Sequence, residues 1–429
     1  MIKYLSKQER FESLQKLYTH AQKSPFYKNR FPNGALKEIE SWQKLPLLEK
    51  QELFDNAYPR SSDMLTTPLE DAIILSTGGS SGIARYTLMS HSEWELFGQV
   101  QADTFKLLGV KKDDKVANLF IAGHLWPSFL GVHEIIKKIG AVHLPISANI
   151  EIKDIMQLCV EFQPSVMVSL PTLFVFLADM AKKENIKFTN LRMILYAGEQ
   201  MSEQAQAHVK KYLGVEKITA LAYSSADAGL MGYKCDECGE GVYHLPSDFQ
   251  YMEIVDEKTS QVVDDGKVGD IVVTNLKRYS MPIMRYKIGD IGNFITHKCP
   301  CGDPNPLFHL GGRSGDDFKL GGAFISMDIF EDSIASFDNY LSMNYTVSLE
   351  DIREYMIITL HVESPEPKVA QEKIGSSLRE MIISKVRDIK VGLELGYIRE
   401  FAVKFVELGS LTRNPRTGKV KRLNDKRIK

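Results

Sequence analysis

The stretch that decides the fold runs from residue 166 to residue 196 and reads VMVSLPTLFVFLADMAKKENIKFTNLRMILY. It begins with an apolar run at 166–170, continues with a helical pattern at 173–183, and ends with a second apolar run at 193–196. A strand, a helix and a strand in that order are typical of a parallel strand pair joined by a crossover helix. The stretch therefore predicts one unit of a parallel sheet.

The same alternation continues on both sides of this stretch. The other predicted strands lie at 116–121, 142–145 and 218–223, and the other predicted helices at 133–139, 152–162 and 203–212. Alternation over more than about 100 residues favours a mostly parallel, helix-covered sheet. From residue 251 the pattern becomes β-rich, with strands expected at 252–255 and 270–275.

The length of 429 residues exceeds what one ordinary core accommodates, so more than one domain is expected. We predict a large N-terminal α/β domain at 1–312, built from mostly parallel sheets and a small β-rich subdomain. A glycine-rich hinge, Gly311-Gly312-Arg313-Ser314-Gly315, leads into a small, mobile C-terminal α/β domain at 313–429. Within the first domain, Ser92 is expected to cap a helix that begins at Glu93.

Composition excludes several classes of protein. Hydrophobic residues make up 44% and charged residues 25%, which is typical of a soluble globular chain. The formal net charge of -2 gives no electrostatic reason to expect nucleic acid or an anionic membrane as a partner. No apolar run reaches the roughly 20 residues of a membrane helix, and residues 1–5 lack the apolar core of a signal peptide. We expect a cytoplasmic enzyme.

A glycine-rich loop, Ser76-Thr77-Gly78-Gly79-Ser80-Ser81-Gly82-Ile83-Ala84-Arg85, separates two short strand patterns. Glycines let backbone N–H groups gather around an anion, and the hydroxyls add further donors for phosphate oxygens. The spacing of a Walker loop is absent. Taken alone, the loop is as consistent with a flexible turn as with a phosphate site.

Further motifs follow in chain order. They are Ala21-Gln22-Lys23-Ser24-Pro25-Phe26-Tyr27, Leu45-Pro46-Leu47-Leu48-Glu49-Lys50, Leu195-Tyr196-Ala197-Gly198-Glu199-Gln200, Tyr223-Ser224-Ser225-Ala226-Asp227, Met281-Pro282-Ile283-Met284-Arg285-Tyr286-Lys287-Ile288-Gly289-Asp290, Gly312-Arg313 and Thr417-Gly418-Lys419. Together with the glycine loop, this set resembles the adenylate-forming superfamily in its phenylacetate–CoA ligase and capsule-biosynthesis branch. Within that branch it looks nearest to aryl-acid adenylating enzymes of phenazine tailoring.

The resemblance implies a two-step reaction. A carboxylate attacks the α-phosphate of ATP and releases pyrophosphate, and a thiol then displaces AMP from the acyl-adenylate. The implied cofactors are ATP, Mg²⁺ and coenzyme A, and the implied substrate is a small, aromatic carboxylic acid. Two alternatives stay open: an adenylating enzyme that delivers the acyl group to a carrier protein or an amine, and a nucleotide-binding homologue without ligase activity. A homodimer is also left open.

The resemblance also assigns roles to individual residues. Asp227 would help to hold Mg²⁺, Asp290 would accept the ribose hydroxyls, Arg313 would reach ribose or phosphate, and Lys419 would contact the attacking carboxylate and the α-phosphate. The remaining nucleotide contacts are Thr77, Gly78, Gly79, Ser80, Ser81 and Gly82 for phosphate and Gly198, Glu199, Gln200, Tyr223, Ser224 and Ser225 around adenine. The expected acyl pocket contains Phe120, His124, Trp126 and Ala197.

Each role has a structural alternative. Asp290 could be a turn residue, Asp227 a helix cap, and Tyr223 ordinary core, while Lys419 could lie in a solvated basic tail. Trp126 could likewise be core and His124 a buried, satisfied histidine.

Three positions depart from the pattern of the branch. Ile83-Ala84 replaces a lysine and a proline, which removes a phosphate-binding charge. Asp227 replaces a longer glutamate, and Gly315 replaces an aspartate at the hinge.

Four of the five cysteines fall in two close pairs, Cys235-x2-Cys238 and Cys299-x-Cys301. Without a secretion signal, such pairs predict metal ligands rather than disulfides. With His244 as a fifth candidate, they predict a closed, structural zinc site, although four reduced thiols remain the alternative. A zinc ribbon that reads nucleic acid is disfavoured because no basic, aromatic face accompanies the pairs.

Overall fold

The computed structural model describes residues 2–32, 34, 36–77, 85–198, 200–313, 318–320, 323–325, 327–352, 355–396, 398–413 and 419–427. The helices are α1 Lys7–Ala21, α2 Pro25–Arg30, α3 Ile39–Gln43, α4 Lys50–Asn56, α5 His91–Leu107, α6 Pro127–Ile139, α7 Ile152–Phe162, α8 Pro171–Glu184, α9 Glu203–Leu213, α10 Asp328–Ala335, α11 Pro367–Lys385 and α12 Arg387–Leu395.

The strands are β1 Ala72–Ser76, β2 Tyr86–Ser90, β3 Lys115–Asn118, β4 Val142–Leu144, β5 Val166–Ser169, β6 Met193–Tyr196, β7 Lys217–Ala220, β8 Tyr223–Ser225, β9 Gly229–Gly232, β10 Val242–His244, β11 Gln250–Val255, β12 Gly269–Asn275, β13 Tyr286–Ile295, β14 Leu307–Arg313, β15 Phe318–Leu320, β16 Ala323–Ile325, β17 Tyr345–Ile352, β18 Tyr355–Ser364, β19 Ile398–Glu407 and β20 Leu423–Asp425.

The chain forms two compact units that interleave along the sequence. Unit 1 combines Met1–Asn149 with Ala220–Ser314, and unit 2 combines Ile150–Thr219 with Gly315–Lys429. The division into domains 1–312 and 313–429 stays a prediction.

Unit 1 contains the expected β-rich part, an antiparallel sheet with the strand order β10-β14-β13-β12-β11. Strand β13 alternates buried and half-buried positions from Tyr286 to Gly292, so one of its faces packs against the core, whereas β12 is buried at every position from Asp270 to Asn275. β3 and β4 pair in parallel, and β1 pairs with β2 in antiparallel fashion. The sheet matters for the site because β13 carries Asp290.

Helix α5 shows where the prediction of a helix start was wrong. The helix begins at His91, and its cap is Ser90, not Ser92. The Ser90 hydroxyl accepts a hydrogen bond from the Glu93 amide (3.2 Å), and the Glu93 carboxylate accepts one from the Ser90 amide (2.9 Å). This reciprocal capping box satisfies two donors at once, so the helix starts directly after β2.

Unit 2 confirms the strand–helix–strand prediction from the deciding stretch. β5 and β6 pair in parallel, with Val166 opposite Met193 and Ser169 opposite Tyr196, and α8 forms the crossover between them. A second sheet has the order β19-β18-β17-β20, and α11 and α12 pack against β19. Strands and helices are thus both present in the segment expected to form the small C-terminal domain.

A charged cluster joins the two sequence segments of unit 2. It consists of His208, Asp179, Asp338, Lys211 and Tyr212, and we call it the His208 cluster. The His208 ring contacts Asp179 through Nε2 (2.8 Å) and Asp338 through Nδ1. Lys211 and Tyr212 also donate to the Asp338 carboxylate, at 2.5 and 3.1 Å. Asp179 and His208 are buried, whereas the side chains of Lys211 and Asp338 are 54% and 22% exposed, so the cluster runs from the interior of the unit to its surface.

Within the described ranges, no helix combines the length and the apolar character needed to cross a membrane.

Candidate active site

Thr77 and Arg85 close the two ends of the predicted phosphate loop. The Thr77 amide donates to the Arg85 carbonyl (2.9 Å), and the Arg85 amide donates to the Thr77 hydroxyl (3.2 Å). The expected phosphate contacts Gly78, Gly79, Ser80, Ser81 and Gly82, together with Ile83 and Ala84, lie outside the described residues. The structure therefore fixes where this loop starts and ends in unit 1.

Asp227 is buried in the turn between β8 and β9, so the alternative of a helix cap is wrong. Its side chain is 2% exposed. Arg85 donates to Oδ2 from Nη2 (2.9 Å) and Nε (3.2 Å), and the Tyr286 hydroxyl donates to the same oxygen (3.0 Å). The other oxygen, Oδ1, has no hydrogen-bond partner among the residues that the structure describes.

The Tyr286 hydroxyl acts as a hydrogen-bond donor to Asp227. Burial and the neighbouring Asp227 carboxylate raise its pKa well above the usual tyrosine value, so the hydroxyl keeps its proton. The Arg278 guanidinium, itself fully buried, donates to the Asp227 carbonyl oxygen. Side chain and backbone of Asp227 are therefore both held.

Tyr223 and Asp290 form a second buried pair in unit 1. The Tyr223 hydroxyl donates to Asp290 Oδ2 at 2.6 Å. The Tyr223 ring lies 6.0 Å from the Tyr243 ring and 5.9 Å from the Phe308 ring. Asp290 lies within β13, opposite Arg313 of β14, so the alternative of a turn residue is wrong. The two predicted ribose contacts are thus opposite each other in the strand register.

Ser224 and Ser225 follow Tyr223 along β8. Ser224 is exposed, and the Ser225 hydroxyl accepts a hydrogen bond from the Ala228 amide (3.0 Å). Ser225 therefore shapes the turn that carries Asp227.

Unit 2 brings Lys419 to the predicted adenine segment. The Lys419 ammonium donates to the carbonyl oxygen of Gly198. Gly198 has a φ of +84°, and a Cβ placed on it would lie 3.1 Å from Leu170 Cδ2 and 3.5 Å from Lys419 Nζ. The positive φ therefore favours glycine, and an added Cβ would also require a small shift of the Leu170 side chain. Ala197 is half-buried, Gln200 is exposed, and Glu199 lies outside the described residues.

The expected acyl segment lies in unit 1. Phe120 is 5% exposed and Trp126 is 9% exposed, whereas His124 is exposed and has a φ of +53°. The rings of His124 and Trp126 lie 5.0 Å apart at an interplanar angle of 31°. The alternative of a buried histidine is thus wrong for His124.

A cluster of thiols and one imidazole lies in the same unit. Ligand atoms of Cys235, His244, Cys299 and Cys301 all lie within 4.8 Å of one another. Cys235 Sγ is 3.6 Å from Cys299 Sγ, and Cys301 Sγ is 3.5 Å from His244 Nε2. Sulfur ligands 2.3 Å from a tetrahedral zinc ion lie about 3.8 Å apart, so this donor set fits zinc.

Neighbouring groups hold this cluster in place. The Tyr233 ring stacks on His244 at 5.1 Å, and its hydroxyl donates to Asp303 (2.5 Å). The Asp303 amide donates to Cys301 Sγ at 3.4 Å. Such outer contacts orient metal ligands. The remaining candidate ligand, Cys238, lies 3.5 Å from Cys235 (Sγ to Sγ) but outside the group of four.

Sequence reasoning gave no role to Arg85, Tyr286 and Gly289. Arg85 and Tyr286 bind Asp227, and a Cβ on Gly289 would lie 2.3 Å from the Lys50 ammonium. Each was quoted inside a motif. Two signals were available in the sequence: the basic residue at the end of the glycine-rich loop, and the tyrosine four residues before Asp290.

The protein-family model described as AMP-binding enzyme matches residues 36–277 of the chain. The chain is 25% identical over 438 residues to phenylacetate-coenzyme A ligase from Pseudomonas putida, with 98% of this chain and 94% of that protein covered. It is 24% identical over 408 residues to phenylacetate-coenzyme A ligase from Thermus thermophilus, with 90% of each covered.

Among solved structures, the fold is similar to that of 2-hydroxyisobutyryl-CoA ligase in the postadenylation state in complex with R3-HIB-AMP. The TM-score is 0.80 at 18% identity, with 97% of this chain and 89% of that chain covered. The same ligase in complex with 2-HIB-AMP and CoA in the thioesterification state gives a TM-score of 0.67 at 20% identity, with 98% and 89% covered. These likenesses support the fold.

Proposed function

This chain belongs to the family of AMP-binding enzymes, as an AMP-forming acid–thiol ligase of the phenylacetate–CoA ligase-like branch, and we propose that it activates an aromatic carboxylic acid for transfer to coenzyme A. The acid is joined to AMP with release of pyrophosphate, and the thiol of coenzyme A then displaces AMP. The two relatives described above are both phenylacetate-coenzyme A ligases, which supports coenzyme A as the acceptor.

The contact between Lys419 and Gly198 carries this proposal. An ammonium near the end of the chain meets the backbone of the segment that would surround adenine. When nucleotide and acid are bound, we propose that Lys419 moves from this carbonyl to the attacking carboxylate and the α-phosphate. A fixed cation there stabilises the negative charge that grows in the transition state.

The ribose would be held in unit 1. Asp290 would accept the ribose hydroxyls through its carboxylate, which is buried and accepts a hydrogen bond from Tyr223 at Oδ2. Tyr223 is packed by Tyr243 and Phe308, and its ring would form a wall for adenine. Arg313, opposite Asp290, would reach ribose or phosphate.

Asp227 would hold Mg²⁺, and its buried Oδ1, which has no hydrogen-bond partner among the described residues, fits a hard cation that prefers oxygen ligands. The ion would neutralise phosphate charge. The hydroxyls of Thr77, Ser80 and Ser81 and the loop amides would bind the phosphates. Ile83-Ala84 leaves this loop without the lysine of the branch.

The cluster of Cys235, His244, Cys299 and Cys301 is proposed to hold one structural zinc ion. A closed set of four protein ligands leaves no open coordination position, which is typical of structural sites. The ion would tie the chain after Asp227 to the chain after Asp290, and so stabilise the sheet that carries Asp290.

The test is acid-dependent exchange of labelled pyrophosphate into ATP with a panel of acids, followed by a panel of acceptors. Benzoate and phenylacetate derivatives should support exchange, short aliphatic acids should not, and product should form with coenzyme A. Exchange without thioester formation would favour a carrier protein or an amine. ATP binding without exchange for any acid would leave only a nucleotide-binding homologue.

Two further expectations are part of the proposal. Residues 313–429 would move as a lid between the two half-reactions, and the protein would act in the cytoplasm. A homodimer stays an open alternative.

A further inference from the structure

The carboxylate of Asp227 uses only one of its two oxygens. Two nitrogens of Arg85 and the hydroxyl of Tyr286 all donate to Oδ2, at 2.9, 3.2 and 3.0 Å. Oδ1 is buried and has no hydrogen-bond partner in the described part of the chain. Three donors therefore crowd onto one oxygen while its twin has none.

This arrangement differs from the usual arginine–carboxylate pair. In the common bidentate geometry, two parallel N–H groups bind both oxygens. A buried polar atom without a partner costs about 1–3 kcal/mol, and more when it is charged. The geometry is explained if Oδ1 has a partner that the polypeptide does not supply, and a cation meets that need.

The groups that hold Oδ2 are themselves anchored. Arg85 is bonded in both directions to Thr77. Tyr286 is fixed by backbone bonds on either side of it, from the Leu48 amide to the Arg285 carbonyl (2.8 Å) and from the Lys287 amide to the Leu48 carbonyl (3.0 Å). These bonds fix the main chain from which both donor side chains reach Asp227.

We propose that Arg85 and Tyr286 are positioning residues that hold Asp227 so that Oδ1 faces the divalent cation of the ATP complex. The inference rests on the proposed function. It also accounts for the short side chain, because an aspartate that lacks the extra methylene of glutamate has less freedom to find the ion itself. Groups that hydrogen-bond a ligating carboxylate commonly change metal affinity about 10–100-fold when they are removed.

The variants must separate position from charge. Arg85 lowers the negative charge at the site, so removing its charge would by itself favour a cation. Arg85→Lys keeps the charge but loses the paired donors, and Tyr286→Phe removes one hydroxyl without any change of charge. Tyr251→Phe, in β11, is the control for loss of a tyrosine hydroxyl elsewhere in unit 1.

The probe is Mn²⁺ together with α,β-methylene-ATP, an ATP analogue that cannot be cleaved at the reacting bond. The amount of bound Mn²⁺ is measured from its effect on the relaxation rate of water protons. AMP affinity is measured in parallel by calorimetry. We expect Arg85→Lys and Tyr286→Phe each to weaken Mn²⁺ binding about tenfold or more while AMP affinity stays unchanged, and Tyr251→Phe to match the unmodified protein.

Two results would overturn the inference: Mn²⁺ affinity in both variants equal to that of the unmodified protein, or Mn²⁺ and AMP affinities that fall together. If the unmodified protein binds neither AMP nor Mn²⁺ with the analogue, the proposed function itself fails. The two failures are thus distinguished by the unmodified protein.

Discussion

Replacement of His208 should weaken unit 2 through the buried carboxylate of Asp179. Asp179 is 0% exposed, and His208 Nε2 donates to its Oδ1 (2.8 Å), while its Oδ2 has no partner within the described segments. In His208→Asn the shorter amide no longer reaches Asp179. Breaking a buried ion pair by removing one partner costs about 3–5 kcal/mol, so we expect a loss of this size.

Asp338 adds less to this loss. It keeps Lys211 and Tyr212 as donors and is partly solvated, with 22% of its side chain exposed. His208→Gln is the matched control, because its amide nitrogen occupies the place of Nε2 and can still donate to Asp179. We expect it to lose only about 1–2 kcal/mol. The double variant His208→Asn with Asp179→Asn should recover most of the loss, since no buried charge remains.

The pH dependence has a definite sign. Burial opposes the charged form of His208, but the hydrogen bonds to Asp179 and Asp338 outweigh it and raise its pKa above the ordinary value of 6.5. A raised histidine pKa stabilises the fold below pH 6.5, and this contribution is lost as pH rises through the folded-state pKa. Stability of unit 2 should therefore fall with rising pH above this value in the unmodified protein, and this slope should disappear in His208→Asn.

The assay is amide hydrogen exchange of peptides from α8 and α9, which reports local opening free energies without assuming a single unfolding step for the whole chain. Spectra are collected from about pH 5 to about pH 9, corrected for the intrinsic exchange rate. The reasoning is refuted if His208→Asn lies within about 0.5 kcal/mol of the unmodified protein. A pH slope that persists in His208→Asn would refute the assignment of the titration.

The other predictions concern the site and its supports. Lys419→Ala should reduce pyrophosphate exchange about 100-fold or more while calorimetric ATP affinity is retained, because its charge acts in the transition state; unchanged exchange would remove Lys419 from the mechanism. Cys299→Ser should lower zinc from about one ion per chain towards none in elemental analysis, whereas Cys238→Ser should keep it. Glu253→Gln should cost about 3–5 kcal/mol in urea unfolding, because it leaves the buried Arg285 without its anionic partner.

The sequence predicted those parts of the fold that depend on local patterns. The strand–helix–strand unit of residues 166–196 was confirmed because its strands and helix differ in period and lie next to each other in the chain. The start of α5 was missed by two residues, since Ser90 and Ser92 both suit a cap and only the reach of Glu93 decides between them.

The surroundings of the site residues could not be predicted in the same way. Arg85 lies 142 residues from Asp227 in the chain, and Tyr286 lies 59 residues from it. No local pattern reports such pairings, because they depend on how strands from distant segments pack. The spacing of cysteines did indicate a metal cluster, yet only the three-dimensional arrangement separates Cys238 from the four donors.

Gly198 has a consequence for protein engineering. Its positive φ is strained for residues other than glycine, and an added Cβ would lie against Leu170 and the lysine that we assign to adenylate formation. A library that randomises this position would recover glycine almost alone, however far the acid pocket is redesigned. Changes of substrate range should therefore be sought elsewhere, for example at Ile121 and Ala122 of the expected acyl segment, which are half-buried and lie before the three consecutive positive-φ residues Gly123, His124 and Leu125.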